Sequence, residues 1–403
     1  MSDTAQAINL RTLDFLLSPQ GQRAADTLAA QGVDAARLPA QLAALRREYA
    51  AEEAGALLAL VRLRRQALSK FPEADRLFFT AEALEQATAR PIAEHRAAWI
   101  DRHAPPGPVL DLGCGIGGDT LALARLRRII AYEIDPLRLR LAQANVAALG
   151  LADQVTFHQA DWRAALAAGD LPAAAAAFAD PARRAGGRRL FRLDAIQPPL
   201  PALLALQQAV PGLGIKVMPG VDDRELPPGC GVEFISHEGV CKEAALWFGP
   251  LAGPGRWAAV HDGRVWHTLV AHGAAPPLGP LRPGMTLYEP DPAVIRAGAF
   301  AELCAQLDAH LFDAQIAYLA ANARRATPLA QSFQVLEIHP FSLKLLQARL
   351  AALEIGQVEL KKRGAPFAPE SLRGRLKLRP GGRPGVVLFT RQGDDRIMIL
   401  AQR

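Results

Sequence analysis

The segment that most constrains the fold is residues 109–120, which read Val-Leu-Asp-Leu-Gly-Cys-Gly-Ile-Gly-Gly-Asp-Thr. A short apolar run ends in an acidic residue, a turn with alternating glycines follows, and a helical stretch begins near Thr120. Glycine adopts positive φ without steric cost and lets a ligand lie against bare backbone. The segment therefore predicts a strand, a tight turn and a helix arranged around a bound ligand.

Short apolar runs alternate with helical stretches after this segment. Residues 129–132 and 155–157 predict strands, and residues 120–127 and 136–148 predict helices. This order is typical of parallel strands joined by crossover helices, which form an open α/β sheet. Further strands are predicted at 173–178, 214–218, 232–236, 244–248 and 257–260.

The flanking regions predict two more domains. Residues 1–100 are rich in Ala, Leu, Arg and Glu, with apolar residues at three- and four-residue steps, which indicates helices. Residues 272–283 are rich in proline and glycine, which favours a linker. Beyond them we expect helices at 292–308, 313–320 and 342–353, and strands at 334–338, 358–362, 386–390 and 396–401. The predicted organisation is a helical domain (1–100), an α/β domain (101–275) and a small α+β domain (284–403).

Several function classes are disfavoured by composition. No run of about 18 consecutive apolar residues exists, so no membrane span is expected. The start, Met1-Ser2-Asp3-Thr4, lacks the basic and apolar regions of a secretory signal. The four cysteines lack the paired spacing of a metal site; they are Cys114, Cys230, Cys241 and Cys304. We therefore expect free thiols, no bound metal and a cytoplasmic location.

The charge beside the glycine turn distinguishes two kinds of cofactor. Asp111 immediately precedes Gly113, Gly115 and Gly117. A nicotinamide site would place a pyrophosphate against such a turn, and a neighbouring carboxylate would repel it. S-adenosylmethionine has no phosphate, and its ammonium and sulfonium groups are positive. The sequence therefore predicts an S-adenosylmethionine site that also includes Asp119 and Thr120.

Acidic residues after the next two strands fit the rest of that cofactor. Glu133 stands twenty residues after Gly113, a spacing at which an acid can hydrogen-bond both ribose hydroxyls. Asp135 is the alternative, although Pro136 after it also suits a helix cap. After the third strand, Asp161 is predicted to accept from the adenine amino group. Trp162 covers the adenine ring or packs in the core.

In order, these motifs resemble those of class I methyltransferases, which have a Rossmann-like sheet. In that fold the substrate meets the methyl group after the fourth strand, where this chain has Asp180-Pro181. The resemblance implies that Asp180 orients an amine or accepts a proton. Nucleobase amino-methyltransferases often place a second proline and an aromatic residue next, whereas Ala182 and Arg183 stand here. Arg183 and Arg184 bind a phosphate or carboxylate, or else are solvated.

Residues 77–80, Leu-Phe-Phe-Thr, precede the sheet and a helical stretch. They are similar to a segment that closes over the methionine end of the cofactor in several nucleic-acid methyltransferases. The resemblance implies cofactor contacts by Phe79 and Thr80. Phe79 equally suits a place in the core.

The whole chain resembles bacterial class I methyltransferases that carry a C-terminal THUMP-like domain. The resemblance implies modification of an RNA base, in tRNA or rRNA, because THUMP domains bind RNA. Two alternatives stay open: a methyltransferase for a small molecule or protein side chain, and a non-catalytic RNA-binding relative. The motifs are Asp-Arg-Leu-Phe-Phe-Thr (75–80), Glu-Gln-Ala-Thr (85–88), Asp-Pro-Ala-Arg-Arg (180–184), Leu-Tyr-Glu-Pro-Asp-Pro-Ala-Val-Ile-Arg-Ala-Gly (287–298), Glu-Ile-His-Pro-Phe (337–341) and Lys-Lys-Arg-Gly (361–364).

The C-terminal region is also the most basic part of the chain. Residues 361–403 hold eleven Lys and Arg against three Asp and Glu, whereas the whole chain has a net charge of +6. Such an excess attracts polyanions, although a soluble basic surface explains it equally well. RNA is therefore the predicted partner, through this module together with Arg183 and Arg184.

Overall fold

The computed structural model describes residues 8–183, 193, 196–366 and 370–403. The chain forms two compact units. The first contains the chain up to Val217 with Val221–Cys230 and Leu246–Gly253, and the second contains Met218–Gly220, Gly231–Ala245 and Pro254–Arg403.

The first unit begins with helices, as predicted for residues 1–100. Apolar side chains of the first, second and fourth helices are buried together with those of a later helix, α8 (Pro136–Ala148). Every helix among the described residues is too short or too polar to cross a bilayer. The helices before the sheet are α1 (Leu10–Leu17), α2 (Pro19–Gln31), α3 (Leu38–Leu45), α4 (Ala51–Ala67), α5 (Ala81–Gln86) and α6 (Arg90–His103).

Five parallel strands follow in the first unit and confirm the predicted open α/β sheet. Their order is β3-β2-β1-β4-β7, and each neighbouring pair is parallel. The central strands β1 and β4 are buried along their whole length, which explains their nearly continuous apolar sequence. The elements are β1 (Val109–Leu112), α7 (Gly118–Leu123), β2 (Ile129–Glu133), α8, β3 (Val155–Gln159), α9 (Trp162–Ala168), β4 (Ala176–Ala179), β5 (Ala182–Arg183), β6 (Ile196–Gln197), α10 (Leu200–Leu204) and β7 (Gly212–Val217).

The second unit contains a seven-stranded sheet and strands from the preceding region. The seven-stranded order is β13-β14-β12-β15-β18-β17-β16, and the predicted hairpin around Gly393 is the antiparallel pair β17–β18. Strand β8 pairs in parallel with β10, which pairs antiparallel with β11. The elements are β8 (Gly231–His237), β9 (Val240–Phe248, divided between the units), β10 (Arg256–His261), β11 (Trp266–Ala271), β12 (Thr286–Pro290), α11 (Pro292–Ala297), α12 (Phe300–Leu307), β13 (His310–Leu311), β14 (Leu319–Ala321), β15 (Ala330–Pro340), α13 (Leu343–Ala352), β16 (Ile355–Lys362), α14 (Glu370–Arg373), β17 (Arg383–Gln392) and β18 (Asp395–Gln402).

One predicted helix of this unit is wrong, and another is divided in two. Residues 313–320 form a turn and then strand β14, which is buried between β13 and β12. A short buried apolar run does not distinguish a strand from a helix by periodicity. The single helix predicted at 292–308 is two helices, because α11 ends at Gly298, whose φ is +73°. Strands β11 and β12 were not predicted.

The division into units does not follow the domain boundaries predicted at residues 100, 275 and 284. The helical region groups with the first sheet, and residues 231–245 and 254–275 group with the C-terminal region. Contact between segments sets this division, whereas the predicted boundaries came from changes in local composition. The three-domain organisation stays a prediction.

Two glycines of the first unit predict opposite effects of substitution by alanine. At Gly214 in β7 an added Cβ would lie 2.5 Å from a ring carbon of Trp247 and 2.9 Å from one of Phe178. We expect Gly214→Ala to lower the free energy of unfolding by about 1–3 kcal/mol through overpacking. At Gly55 in α4 an added Cβ meets no atom within 4 Å. We therefore expect Gly55→Ala to raise the free energy of unfolding by about 1 kcal/mol, because alanine favours a helix more than glycine does.

The measurement for this pair is the midpoint of urea unfolding for both variants and the parent chain. Gly55→Ala is the control, because it adds the same methyl group to the same unit without a contact. An unchanged midpoint for Gly214→Ala would contradict the tight packing of Trp247 on β7.

Candidate active site

The carboxyl ends of the parallel strands bring most predicted site residues to one edge of the sheet. Asp111 lies in β1, Glu133 ends β2 and Asp180 directly follows β4. Open α/β sheets bind ligands at this edge, at the point where the strand order reverses. In this sheet that point lies between β1 and β4, which makes their carboxyl ends the candidate site.

The three predicted glycines of the turn all have positive φ, at +84° for Gly113, +57° for Gly115 and +89° for Gly117. They differ in what surrounds them. A Cβ on Gly117 would lie 3.5 Å from Ala142 of α8, whereas one on Gly115 would meet nothing within 4 Å. One on Gly113 would approach only the backbone oxygen of Asp180, at 3.9 Å. Gly117 therefore lets the turn pack on α8, while Gly113 and Gly115 leave backbone open to a ligand.

Asp111 lies at the centre of a negative region. Its carboxylate is 2% exposed and accepts a hydrogen bond from Thr120 Oγ1 at 2.5 Å. Burial, with the nearby carboxylates of Asp119 and Asp180, raises the pKa of Asp111 to about 7. Burial also raises the pKa of the Cys114 thiol, with Asp111 adding to the effect. The smaller contributions of the neighbouring carboxylates to both shifts come from negative charge, which a bound cation would balance.

Glu133 supports the turn from strand β2. Its Oε2 accepts from the backbone N–H of Gly115 at 2.9 Å, and its Oε1 accepts from those of Ile134 and Asp135, also at 2.9 Å. A carboxylate has about four acceptor positions, so these bonds leave capacity for a further donor. The ribose contact of Glu133 stays a prediction.

The remaining acids after the strands have structural partners. Asp135 caps α8 by accepting from the N–H of Arg138 at 2.8 Å. Asp161 caps α9 and pairs with the guanidinium of Arg163, and this pair lowers the pKa of Asp161. Trp162 is 6% exposed, in agreement with a core position. Their contacts with ribose and adenine stay predictions.

The segment before α5 is held against the glycine turn by Asn145 of α8. Its amide oxygen accepts from Phe78 N at 2.7 Å, and its amide nitrogen donates to Phe78 O at 3.1 Å and to Ile116 O at 2.9 Å. Phe79 is 1% exposed, as a core residue would be, and Thr80 caps α5 through the N–H of Ala83. The segment therefore adjoins the turn, and the cofactor contacts of Phe79 and Thr80 stay predictions.

A polar network that the sequence did not reveal links the glycine turn to the end of β4. Arg96 of α6, buried to 1% exposure, pairs with Asp119 and donates to Thr88 Oγ1 at 3.2 Å. Lys216 of β7 donates to the same hydroxyl at 3.1 Å and to Asp180 Oδ2 at 2.7 Å. Thr88 thus joins the two cations, and each cation holds one carboxylate of the site.

Both missed cations had a detectable signal. Arg96 stands in the buried stripe of α6, four residues after Ile92 and four before Ile100. Lys216 interrupts the apolar run of β7 near its carboxyl end. A charged residue in a buried apolar pattern needs a partner, and here the partners are Asp119 and Asp180.

The residues after Asp180 are described only in part. Pro181 follows it in the chain and is half-buried. Arg183 belongs to β5, which pairs with β6 through the backbone, and its side chain is not described. Arg184 lies outside the described residues. The catalytic and anion-binding roles of these residues stay predictions.

The arrangement fits S-adenosylmethionine. The carboxylates of Asp111, Asp119 and Asp180 surround a turn whose Gly113 and Gly115 present open backbone. Asp119 and Asp180 already have cationic partners. The buried carboxylate of Asp111 instead accepts a hydrogen bond from the hydroxyl of Thr120. Asp111 is therefore the carboxylate best placed to gain from a positively charged ligand.

Comparisons with known proteins agree with this site. Residues 109–184 match the "Methyltransferase domain" family and residues 330–403 match the "THUMP domain-like" family. Two strains of Mycobacterium tuberculosis, CDC 1551 and H37Rv, each have a relative described as an uncharacterized S-adenosylmethionine-dependent methyltransferase. Each is 37% identical over 343 residues, which cover 82% of this chain and 91% of the relative.

A solved structure shares the fold. The crystal structure of a proposed methyltransferase from Porphyromonas gingivalis W83 superimposes with a TM-score of 0.70, covering 92% of this chain and 99% of that one at 18% identity. The Rossmann-like sheet, the N-terminal helices and the C-terminal α+β region are thus confirmed, and S-adenosylmethionine is the cofactor. The chain belongs to the class I S-adenosylmethionine-dependent methyltransferases that carry a C-terminal THUMP-like domain.

Proposed function

We propose that this methyltransferase modifies a base of RNA, in tRNA or rRNA. The observation that supports this most is a basic strip formed by Arg373, Arg375, Lys377 and Arg379, within the residues that match the THUMP-like family. The intervening Leu376 and Leu378 pack in the core of the module, so the alternating cations are exposed. An exposed row of cations suits a phosphate backbone.

Several cations of the basic C-terminal region are paired with acids, among them Arg379 of the strip, whose guanidinium lies 3.9 Å from Glu354. Lys361 Nζ lies 2.6 Å from Glu289, and Arg403 lies 2.8 Å from Glu359. These cations have internal partners. In contrast, Arg373, Arg375 and Lys377 have no ion pair with any described residue, and they supply the positive charge that RNA would neutralise.

The proposed reaction is methyl transfer to a nucleophile that carries a proton, such as the amino group of a base. When bound, S-adenosylmethionine supplies a methyl group attached to a positively charged sulfur. The neutral thioether that remains after transfer is a good leaving group. Asp180 accepts a hydrogen bond from the nucleophile and takes its proton. Lys216 holds Oδ2 of Asp180, and within the described residues Oδ1 has no donor. Holding the reacting atoms in line contributes roughly 7–11 kcal/mol in favourable cases.

The test of the function is transfer of a radiolabelled methyl group from S-adenosylmethionine to fractionated cell extract. We expect label in the RNA fraction that ribonuclease releases. Label confined to protein or to small molecules would overturn the RNA substrate and support the alternative methyltransferase. Binding of the cofactor without label in any fraction would support the non-catalytic relative.

Neutralising the basic strip should weaken RNA binding in a salt-dependent way. For single strands, the slope of log affinity against log salt is about −0.7 per phosphate contacted. We expect the triple variant Arg373→Gln, Arg375→Gln, Lys377→Gln to make this slope shallower by about 2. Fluorescence anisotropy with a labelled oligoribonucleotide at several salt concentrations measures it.

The matched control removes the same charge from exposed sites of the N-terminal helical region, in the triple variant Arg23→Gln, Arg46→Gln, Arg47→Gln. This control should keep the slope of the parent chain. Equal slopes for the two triple variants would exclude the strip as the RNA-binding surface.

A further inference from the structure

A cavity of about 1190 Å³ lies between the N-terminal helices and α8. Small-molecule sites usually measure roughly 300–1,000 Å³. Helix α8 separates this cavity from the glycine turn, because Ala142 faces Gly117 whereas Arg140 and Ala144, one turn apart, line the cavity. It is therefore a second site of the first unit, distinct from the methyltransferase site.

The lining of the cavity is predominantly cationic. Four arginines and two aspartates contribute to it, and one of the arginines, Arg140, also pairs with Asp14 at 3.4 Å, so the excess is one positive charge. The charged lining residues are Arg64, Arg65, Arg76 and Arg140, and Asp26 and Asp75. Arginine donates pairs of hydrogen bonds in a fixed geometry that matches phosphate and carboxylate groups. The charge of the lining thus selects for an anionic group.

Arg64 is the most informative member, because it is only 7% exposed. Its Nε donates to Leu77 O at 2.9 Å, and its guanidinium lies 5.2 Å from the centre of the Phe78 ring. Neither terminal nitrogen has a hydrogen bond or ion pair with any described residue. Burial lowers the pKa of Arg64, against the longer-range attraction of Asp26 and Asp75. A buried cation without a close anion is unfavourable, and an anionic ligand would relieve this.

The rest of the lining indicates what else such a ligand carries. The carboxylates of Asp26 and Asp75 accept from hydroxyl or amino groups, and Gln22 and Gln143 both donate and accept. Apolar side chains, among them Leu17, Val33, Val61 and Leu68, offer contact to a ring. A fatty-acid anion would leave the two carboxylates without donors, whereas a nucleotide has ribose hydroxyls and base amino groups for them.

We propose that this cavity binds a nucleotide, with its phosphate on the arginines and its ribose and base against the carboxylates and apolar side chains. The same chemistry is presented by a free nucleotide and by one nucleotide of an RNA strand. The proposal does not depend on RNA being the methylated substrate, because a free nucleotide alone would satisfy it.

The test is binding of guanosine and uridine 5′-monophosphates and of a mixed ten-residue oligoribonucleotide, measured by calorimetry with the full chain. Saturating S-adenosylhomocysteine blocks the cofactor site during the measurement. Arg64→Gln should weaken binding by about 10- to 100-fold, since a hydrogen-bonded charge contact is lost. Binding of both monophosphates indicates a free nucleotide. Binding of the oligoribonucleotide alone indicates an RNA strand, provided that it persists in the triple variant Arg373→Gln, Arg375→Gln, Lys377→Gln, which lacks the basic strip.

A second pair of variants keeps the test valid if Arg64→Gln unfolds. Ala29 and Ala30 are both exposed on α2, but only Ala29 lines the cavity. Ala29→Trp should weaken binding by narrowing the cavity, and Ala30→Trp should leave binding unchanged. Equal binding in these two variants would overturn the proposal. So would equal affinity for the unphosphorylated nucleosides, or no binding of any of the phosphorylated probes.

Discussion

Replacing Asp180 with asparagine is expected to slow methyl transfer by about 10²- to 10⁴-fold, the usual contribution of a positioned acid or base. The amide keeps the size of the side chain but does not take a proton at neutral pH. Affinity for S-adenosylmethionine should change little. Loss of the negative charge of Asp180 weakens the attraction for the cofactor but also removes a group that raises the pKa of Asp111.

Lys216 provides a second readout for the same site. Because its ammonium lies 2.7 Å from Asp180 Oδ2, we expect Lys216→Met to slow methyl transfer by misplacing the carboxylate. Residues that act as one unit give strongly non-additive effects. The double variant should therefore be no slower than Asp180→Asn alone.

The measurement is single-turnover transfer of labelled methyl to the accepting fraction, with cofactor affinity determined separately by calorimetry. Asp170→Asn, at an exposed acid of the same unit, is the control and should keep full activity. Full activity of Asp180→Asn would place the reaction centre elsewhere. Additive losses in the double variant would mean that Lys216 does not act through Asp180.

The features predicted correctly from the sequence depend on local pattern. The glycine turn, β1 with Asp111, and the alternation of strands and helices follow from residues close together in the chain. The hairpin β17–β18 was predicted for the same reason. Parallel order then brings the strand ends together without further information.

The features that were missed depend on distant segments. Arg96, Thr88 and Lys216 come from α6, the residues before it and β7, and only the folded chain joins them to Asp119 and Asp180. The helix predicted at 313–320 is a turn that leads into β14 (Leu319–Ala321), which pairs with β12 and β13. Tertiary pairing decides the structure of short apolar runs, and neighbouring residues do not reveal it.

The raised pKa of Asp111 predicts opposite effects of pH on cofactor binding and on stability. A cationic cofactor favours the ionised carboxylate, so affinity should fall as the pH is lowered through about 7. At pH 5.5 the affinity should be up to about 30-fold lower than at pH 7.5, since each pH unit below the pKa corresponds to at most about tenfold. The amino group of the cofactor, with a pKa of roughly 7.7–8.0 for such groups, stays mainly protonated in this interval.

The stability of the unliganded protein depends on pH in the opposite direction to the cofactor affinity. The pKa of Asp111 in the folded state, about 7, exceeds the ordinary value of 3.8. The folded state therefore binds the extra proton, and the resulting stability is complete below about pH 4 and is lost as the pH rises through about 7. Between pH 5.5 and 7.5 the loss should be about 2 kcal/mol, at about 1.4 kcal/mol per unit below the pKa.

Asp111→Asn separates these effects from those of other groups, because the amide still accepts from Thr120 but does not titrate. Calorimetry should give the variant weak cofactor binding that is nearly independent of pH. The free energy of unfolding of the variant, measured in urea, should lack the decrease between pH 5.5 and 7.5 that Asp111 causes in the parent chain. The two measurements together are decisive, because one ionisation must strengthen binding and weaken the empty fold as the pH rises. Identical pH profiles for the two proteins would show that Asp111 is not the group on which the cationic cofactor depends.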